Sequence, residues 1–447
     1  MHTMNKNEEN CRTSSTEVKR ASSSRSINVH GKHLKTASIA RRSFESRGRR
    51  GFTAWMMAMT LMLGACGGGD DVNSGYARLM AAVPQAVTSV PDAHATLLTY
   101  TMPATAGGST PATSLLFVPK GNAPAGGWPI VAWAHGTTTA GQATCAPSLT
   151  LDTLDGGLTA QGFPSHYSDF IESLVHAGYA VVAPDFEGLG PAEKTPYRYY
   201  SSASEARSII AAVVAARETD TPLSTRWAAV GHSEGGRGVL ELQRFVGEAT
   251  GLDFRGTVAI APFTSVAASI NGLSDMAAND PTNTALYTAI QNLFVGMLTV
   301  AVQVGSPNVD VSKLMGADLA SQLTDLKTKC VFAAFGQIGQ LIATKTSAGY
   351  AGFNPRWSSV PEMQAYLAAN DPAVAPNFRL IAPTLILQGA ADVFVQPTLT
   401  SKLVSRLQAT TPPPPSLAYK TYPGMDHGTV MTVAASDVIA FLSNRFQ

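Results

Sequence analysis

One five-residue segment places a hydroxyl nucleophile between glycines. It reads Gly231-His232-Ser233-Glu234-Gly235, and it lies between an apolar run at 227–230 and a helical pattern. A sharp turn from strand to helix would project the side chain of Ser233 at the bend. The two backbones approach closely at such a turn, so the residues two positions away must be small. The pattern predicts Ser233 as a nucleophile; the alternative is a glycine-rich turn with an ordinary serine.

The candidate acid is Asp392, which closely follows the apolar run at 384–388. A carboxylate just past the end of a buried strand could hold an imidazole in one tautomer and stabilise the imidazolium. Three other aspartates compete for this role. Asp371 precedes a proline in a predicted turn, Asp426 adjoins the candidate histidine, and Asp437 falls in the last predicted helix. We therefore assign the acid to Asp392.

The candidate base is His427, between the last predicted strand and the last predicted helix. Ser233, Asp392 and His427 follow one another along the chain at intervals of 159 and 35 residues. This order is typical of the α/β-hydrolase fold, in which the histidine takes the proton of the attacking serine.

Attack on a carbonyl carbon also needs two backbone N–H groups that stabilise the developing oxyanion. One should be the N–H of Glu234, directly after the nucleophile. The other should come from the loop after the third predicted strand, and we assign it to Thr137, with Gly136 or Thr138 as alternatives. The competing interpretation is a glycine turn whose threonines satisfy local backbone groups.

These residues need a scaffold, and strand-like and helix-like segments alternate along the chain. This alternation predicts an α/β fold, with a mostly parallel central sheet and helices on both faces. About 115 residues, at 262–378, have helical patterns and no convincing strand. They predict a helical cap inserted between the sixth predicted strand and the strand that precedes Asp392. The predicted strands are Ala95–Thr101, Ser114–Val118, Ile130–His135, Ala180–Pro184, Trp227–Gly231, Thr257–Ala261, Thr384–Gln388 and Leu417–Tyr422.

The cap contains an uncharged stretch, Pro281–Val309, whose apolar residues recur at helical spacing. Its length would allow a membrane span, but polar residues interrupt it and strands of one sheet flank it. A cap helix is the preferred interpretation. Its apolar stripe would either pack in the cap or line a channel for acyl chains. The stripe includes Leu286, Ile290, Leu293 and Met297.

The N-terminal region resembles a targeting sequence. Residues 1–50 hold 12 of the 32 Lys and Arg, and the uncharged segment Gly51–Ala65 is too short to span a bilayer. Leu63-Gly64-Ala65-Cys66 resembles a bacterial lipobox, with Cys66 as the lipidated first residue of the mature protein. The prediction is removal of residues 1–65, a flexible tether at 66–75 and a hydrolase domain at 76–447. An ordinary signal peptide is the alternative, and Arg49-Arg50 weakly matches a twin-arginine signal.

Composition narrows the function classes. The chain is 45 % apolar and 14 % charged, which excludes a disordered or coiled-coil protein. Residues after 50 carry 20 basic and 27 acidic side chains, a net charge of −7, which argues against nucleic acid as a partner. The sequence contains no H-E-x-x-H metal motif and no convincing phosphate- or dinucleotide-binding loop, so we expect no cofactor and no metal.

Two of the four cysteines lie beyond the N-terminal region, at Cys145 and Cys330. An even pair in an exported chain predicts a disulfide, and the alternative is two buried free thiols.

Several short motifs together resemble the secretory lipase family of lipase-A-like α/β-hydrolases, over roughly residues 75–447. They are His135-Gly136-Thr137, Cys145-Ala146-Pro147-Ser148, the segment 185–190 (DFEGLG) and the G-x-S-x-G segment. The resemblance implies a helical cap, a Ser-Asp-His triad and cleavage of carboxylic esters, including acylglycerols. It also implies a bond from Cys145 to a cap cysteine, which makes Cys330 the expected partner. The lipobox-like segment is not part of the pattern of the fungal members of this family.

The leading hypothesis is a carboxylic ester hydrolase of lipase type that acts on apolar esters and is anchored at a bacterial envelope through Cys66. A secreted enzyme is the alternative for its location. The alternatives for its function are a peptidase with the same triad and a non-catalytic envelope lipoprotein. The sequence leaves the oligomeric state and the acyl chain length open.

Overall fold

The computed structural model describes residues 75–151, 166–345 and 349–447. The predicted signal peptide, the lipobox with Cys66 and nearly all of the tether lie outside the described residues, so these assignments stay predictions.

In the described part of the chain, nine strands form one sheet in the order β1-β2-β3-β5-β4-β6-β7-β8-β9. The six strands β4 to β9 are parallel to one another. Strands β1, β2 and β3 form antiparallel pairs, and β3 pairs antiparallel with β5. The predicted α/β-hydrolase architecture is thereby confirmed. The strands are β1 Arg78–Gln85, β2 Ala93–Pro103, β3 Ser109–Pro119, β4 Trp128–Ala134, β5 Ala180–Pro184, β6 Leu223–His232, β7 Asp253–Ile260, β8 Thr384–Gly389 and β9 Leu417–Tyr422.

Helices cover both faces of the sheet because the central strands are apolar on both sides. Every residue of β5 and of β8 is buried, as expected for parallel strands covered on two faces. On one face, α1 packs with the C-terminal helix α12; on the other, α2, α3 and α11 join the larger core. These helices are α1 Tyr167–His176, α2 Ser202–Arg217, α3 Glu234–Leu242, α11 Pro397–Gln408 and α12 Val430–Phe446.

Between β7 and β8, the described residues form helices and short turns but no sheet strand. We call residues 266–370 the helical insertion; they lie within the interval predicted as a cap. Its helices are α4 Val266–Asn279, α5 Thr284–Gly305, α6 Val311–Leu314, α7 Ala317–Ala320, α8 Leu323–Thr328, α9 Val331–Lys345 and α10 Pro361–Asn370. Short 3-10 turns elsewhere and in the insertion lie at Ala143–Cys145, Val246–Glu248, Pro281–Asn283 and Trp357–Ser359.

Helix α5 forms most of the uncharged stretch Pro281–Val309, whose length would allow a membrane span. Among the described residues, the segment Pro281–Gly305 is the one helix that is long and apolar enough to cross a bilayer, and 78% of its apolar window is buried inside the protein. Ile290, Leu293 and Met297 all belong to the larger core, and Leu286 packs against it. This is the packing of a core helix, and it favours core packing of the stripe over a channel wall.

Candidate active site

The turn between β6 and α3 holds Ser233 in a conformation that few non-glycine residues adopt. Its φ is 57° and its ψ is −118°. Such a conformation costs of order 1–3 kcal/mol and persists only where neighbouring structure enforces it. Here the enforcing contacts come from the end of β7. The N–H of Ser233 donates to Ile260 O at 2.9 Å, and Ser233 O accepts from the N–H of Phe263 at 2.9 Å.

The glycines two positions before and after Ser233 are required because there is no space for a side chain at either position. A Cβ on Gly235 would lie 2.5 Å from the carbonyl carbon of Ala134 and closer still to the carbonyl oxygens of Ala134 and His135. A Cβ on Gly231 would overlap the carbonyl group of Gly235 in the same way. The strand, the helix and the neighbouring strand β4 thus approach one another too closely for any side chain. The geometry is that of a nucleophile elbow.

Three residues predicted from the sequence meet at the carboxyl edge of the sheet. Ser233 follows β6, Asp392 follows β8 and His427 follows β9. His427 Nε2 lies 2.9 Å from Ser233 Oγ, and His427 Nδ1 lies 2.8 Å from Asp392 Oδ2. This is a continuous hydrogen-bond chain from a hydroxyl through an imidazole to a carboxylate, the geometry that activates a serine as a nucleophile.

The carboxylate of Asp392 is fully buried and surrounded by donors. Its Oδ1 accepts from the N–H groups of Phe394 at 2.9 Å and Val395 at 2.8 Å. Its Oδ2 accepts from Gln388 Nε2 at 3.0 Å as well as from His427. These donors fix the orientation of the carboxylate, so Oδ2 faces the imidazole.

The three competing aspartates have other partners. Asp371 accepts from the N–H groups of Ser265 and Val266 at the start of α4. Asp426 bonds within its own turn, and Asp437 pairs with Lys420 and Tyr422 on the surface. None of these contacts leads to His427 Nδ1, which is bonded to Asp392.

The predicted oxyanion loop follows β4, because the strand β1 at the sheet edge shifts the predicted strand count by one. The N–H of Gly136 donates to Tyr167 Oη at 3.0 Å, so this amide is already engaged. In the part of the chain that the structure describes, the N–H groups of Thr137 and Glu234 donate to no other group. The candidates for the oxyanion donor in this loop are therefore Thr137 and Thr138.

Two residues beside the nucleophile were missed by the sequence analysis. They are His232, directly before Ser233, and Tyr167, the first residue of α1. Both are buried, and Tyr167 Oη lies 2.9 Å from His232 Nδ1. The only signal in the sequence was that the position before the nucleophile holds a histidine, which apolar packing does not require.

Below the elbow, α3 is held by a buried polar network. Glu234 Oε1 accepts from Tyr197 Oη at 2.8 Å and from the N–H of Tyr200 at 3.0 Å, and burial raises the pKa of Glu234. Arg237 pairs with Glu205 of α2, and its guanidinium lies 4.0 Å above the ring of Tyr200. Because these groups are buried and bonded to one another, they fix the position of the helix that begins at the nucleophile.

Another buried carboxyl, that of Asp185, directly follows β5. Asp185 accepts from the Ser148 N–H at 3.0 Å, from the Ser148 hydroxyl, and from Thr113 Oγ1 at 2.6 Å. Burial raises the pKa of Asp185 to about 6, although these three bonds favour the ionised form. Asp185 thus ties β3 and β5 to the segment after Cys145.

The helical insertion is attached to the sheet beside the predicted oxyanion loop. A disulfide joins Cys145 to Cys330, the pairing that the family resemblance implied. Thr139 and Cys330 form an isolated β-bridge, and the N–H of Val331 donates to Thr138 O at 2.7 Å.

The insertion also contacts a residue bonded to the nucleophile. The ring of Phe294 on α5 lies 4.7 Å from the ring of Phe263, whose N–H bonds to Ser233 O. The ring of Phe394 lies 5.5 Å from the ring of His427. Aromatic residues therefore contact both Ser233 and His427.

One group of metal-ligand residue types comes together within the described residues. Asp92, Glu172 and His176 have ligand atoms within 4.8 Å of one another, at the far end of α1 from Tyr167. His176 Nε2 lies 2.9 Å from Asp92 Oδ2 and 3.0 Å from Glu172 Oε1, so both carboxylates already contact the imidazole.

A mostly parallel sheet with a strained serine after β6, an acid after β8 and a histidine after β9 defines the class of α/β-hydrolases. The sequence model described as "Alpha/beta hydrolase family" matches residues 131–440. The chain belongs to this family, and its membership supports hydrolase activity.

The fold is shared with solved lipases and esterases. Candida antarctica lipase A in its closed state is 15% identical, with 83% of this chain and 82% of that chain covered and a TM-score of 0.61. The rice cell wall degrading esterase LipA from Xanthomonas oryzae is 17% identical, with 83% and 96% covered and a TM-score of 0.57. A putative hydrolase from Legionella pneumophila is 18% identical, with 79% and 88% covered and a TM-score of 0.59. The predicted likeness to lipase-A-like proteins is confirmed in the fold.

Among curated proteins, no sequence match is found.

Proposed function

We propose that the chain is a serine carboxylic ester hydrolase acting on acylglycerols or related apolar esters. The observation that carries this proposal is the hydrogen-bond chain Ser233–His427–Asp392 at a strained elbow. A buried structural serine would have no need of a positive φ or of an imidazole 2.9 Å from its hydroxyl.

In the proposed mechanism, Ser233 Oγ attacks the ester carbonyl carbon while His427 Nε2 takes the hydroxyl proton. Asp392 stabilises the imidazolium that forms. The N–H groups of Thr137 and Glu234 stabilise the oxyanion. When the tetrahedral intermediate collapses, His427 gives its proton to the leaving alcohol and an acyl-enzyme remains on Ser233.

A water molecule then attacks the acyl carbon, with His427 again as the base. The second tetrahedral intermediate releases the carboxylic acid, and the proton returns to Ser233 Oγ. His427 carries the proton in every step of this scheme. The N–H groups of Thr137 and Glu234 stabilise the oxyanion in both tetrahedral intermediates.

The preference for apolar esters is supported by the side chains beside the site. Phe394 packs against His427, Phe294 of the insertion packs against Phe263 beside Ser233, and the insertion contributes many apolar side chains to the larger core. Apolar surface favours acyl chains over charged peptides, because each buried CH₂ contributes about 0.8 kcal/mol. The lipase and esterase folds among the structural neighbours agree with this substrate class.

We further propose that the hydrolase domain, residues 76–447, is exported and held at a bacterial envelope by a lipid on Cys66. The lipobox-like segment supports the anchor, and the disulfide supports an oxidising compartment. Labelling with a radioactive fatty acid in a bacterial host should mark the wild type and not Cys66→Ser. Label on both, or on neither, would contradict the anchor.

The activity itself is tested with Ser233→Ala. The variant should fold normally and lose about 10⁴- to 10⁶-fold in kcat on p-nitrophenyl esters, together with labelling by a fluorophosphonate. The matched control is Ser405→Ala, an exposed serine of α11, which should keep both. Full activity in Ser233→Ala would remove the triad assignment. An anilide series cleaved faster than the matching ester series would favour a peptidase, and no labelling of the wild type would favour a binding protein.

A further inference from the structure

Three segments of the site are joined by hydrogen bonds that are separate from those between Ser233, His427 and Asp392. The N–H of Gly136, in the oxyanion loop, bonds to Tyr167 Oη at 3.0 Å. Tyr167 Oη lies 2.9 Å from Nδ1 of His232, the residue before the nucleophile. His232 Nε2 lies 2.8 Å from the backbone oxygen of His427. We call Tyr167 and His232 the bridge.

The chemistry of the two ends fixes every proton in the bridge. The N–H of Gly136 can only donate, so Tyr167 Oη accepts there and uses its own proton elsewhere. The carbonyl of His427 can only accept, so His232 Nε2 carries a proton. Nδ1 of His232 is then free to accept the proton of the Tyr167 hydroxyl. The hydrogen bonds are mutually consistent in one neutral tautomer of His232.

The surroundings keep His232 in this neutral form. Its side chain is buried, and burial together with the neighbouring His427 holds its pKa well below the ordinary range of a histidine. The ring centroids of His232 and His427 are 4.6 Å apart, so a positive charge on one would repel a positive charge on the other. The bridge is a fixed structural link, and it is not a second base.

The bridge packs closely against the oxyanion loop and β4. A Cβ on Gly136 would overlap the hydroxyl of Tyr167 and would lie 3.3 Å from Ser233 Cβ. The oxyanion loop, the nucleophile and the hydroxyl of Tyr167 are therefore in close contact. Tyr167 also packs edge-on against the ring of Trp133 in β4, with ring centroids 5.4 Å apart.

We propose that Tyr167 and His232 are positioning residues that hold the oxyanion loop, the nucleophile and the base loop in register. This proposal rests on the proposed ester hydrolase function. Tyr167 fixes Gly136, whose neighbour Thr137 is the assigned oxyanion donor. His232 fixes the backbone of His427, whose ring must face Ser233. The hydrogen bonds of these two side chains go to each other and to the backbone of Gly136 and His427, and not to Ser233 Oγ or the His427 ring nitrogens.

The first test is Tyr167→Phe, which keeps the ring and removes the hydroxyl. Losing this link should let two of the three segments shift, and a displacement of about 1 Å can cost about 100-fold in rate. We expect kcat per active site, counted by fluorophosphonate titration, to fall about 10- to 100-fold, with KM changed less than about threefold. The control is Tyr179→Phe, a buried tyrosine that packs against Phe446 and should retain wild-type kcat. A kcat per site within twofold of the wild type in Tyr167→Phe would overturn the proposal.

Two variants of His232 separate positioning from simple packing. Gln can place an amide N–H near the position of Nε2 and keep the bond to His427 O, whereas Ala removes both bonds. We expect His232→Gln to retain more kcat per site than His232→Ala, and equal losses would contradict the positioning role. His232→Gln also replaces Tyr167→Phe in the test if that variant does not fold.

A third measurement does not depend on activity. Imidazole ¹⁵N spectra of the wild type should show His232 as the neutral tautomer with its proton on Nε2 at every pH from 5 to 8. A proton on Nδ1, or protonation of both nitrogens in this range, would refute the bridge even in an active enzyme. Failure of the proposed function would look different: the wild type would cleave no ester, while the spectrum of His232 would still show this tautomer.

Discussion

Gly235 is a position at which the structure leaves no space for a side chain. In Gly235→Ala, the new Cβ would lie 2.5 Å from the carbonyl carbon of Ala134 and nearer still to two carbonyl oxygens. Ordinary contacts with a Cβ begin at 3.4 Å, so the start of α3 and the end of β4 must separate by about 1 Å. The atoms in contact are backbone, so no side chain can rotate away. Overpacking of this kind typically costs about 1–3 kcal/mol.

The same displacement acts on catalysis. Ser233 lies two residues before Gly235, and the N–H of Glu234 lies between them, so a shift of about 1 Å should lower kcat about 100-fold. Urea unfolding and kcat per titrated active site measure the two effects. The control is Gly339→Ala in helix α9, where a Cβ meets nothing within 4 Å; it should raise stability by about 0.5–1 kcal/mol and leave kcat unchanged. Unaltered stability and kcat in Gly235→Ala would refute the elbow packing described above.

Three further predictions concern buried groups. Asp392→Asn should lower kcat about 10⁴-fold with little change in folding, because it disturbs the tautomer of His427; a loss below tenfold in steady-state assays would contradict the acid assignment. Burial raises the pKa of Asp185 from 3.8 to about 6. The folded protein therefore holds this proton to higher pH than the unfolded chain, and the free energy of unfolding should fall by at most about 3 kcal/mol as pH rises from about 4 to about 6. Asp185→Asn should make this fall smaller in urea titrations, while other buried carboxyls such as Glu234 still contribute, and an unchanged slope would exclude Asp185 as a source. Replacing Cys145 and Cys330 by alanine opens a loop of 185 residues and should cost about 2–5 kcal/mol; an unchanged melting temperature under non-reducing conditions would show that the bond contributes nothing.

Much of the scaffold could be predicted because the buried strands have a strong local signal. Strands β5 and β9 have the predicted bounds, and β8 differs by one residue. Strand β1 was missed because it lies at the sheet edge with most of its residues exposed, so apolar alternation is weak there. Pro84 also disfavours a strand assignment and is tolerated at an edge.

The site was predictable where one residue carries its own local signature and unpredictable where contacts join distant segments. Glycines around Ser233 reveal a tight turn in the sequence itself. The link from Tyr167 to His232 spans 65 residues, and nothing near either residue indicates the other. Gly136 was an alternative oxyanion donor because it lies next to Thr137 in the loop after β4; only the folded chain shows that its amide is occupied by Tyr167.

The attachment between Cys145 and Cys330 ties the helical insertion to the loop that carries the assigned oxyanion donor. The disulfide, the β-bridge at Thr139 and the bond from Val331 to Thr138 O lie together, next to Thr137 in the sequence. The backbone of this loop is therefore held by residues of the insertion as well as by strand β4. Positioning of the oxyanion donor thus depends on a segment of the insertion that is far away in the sequence.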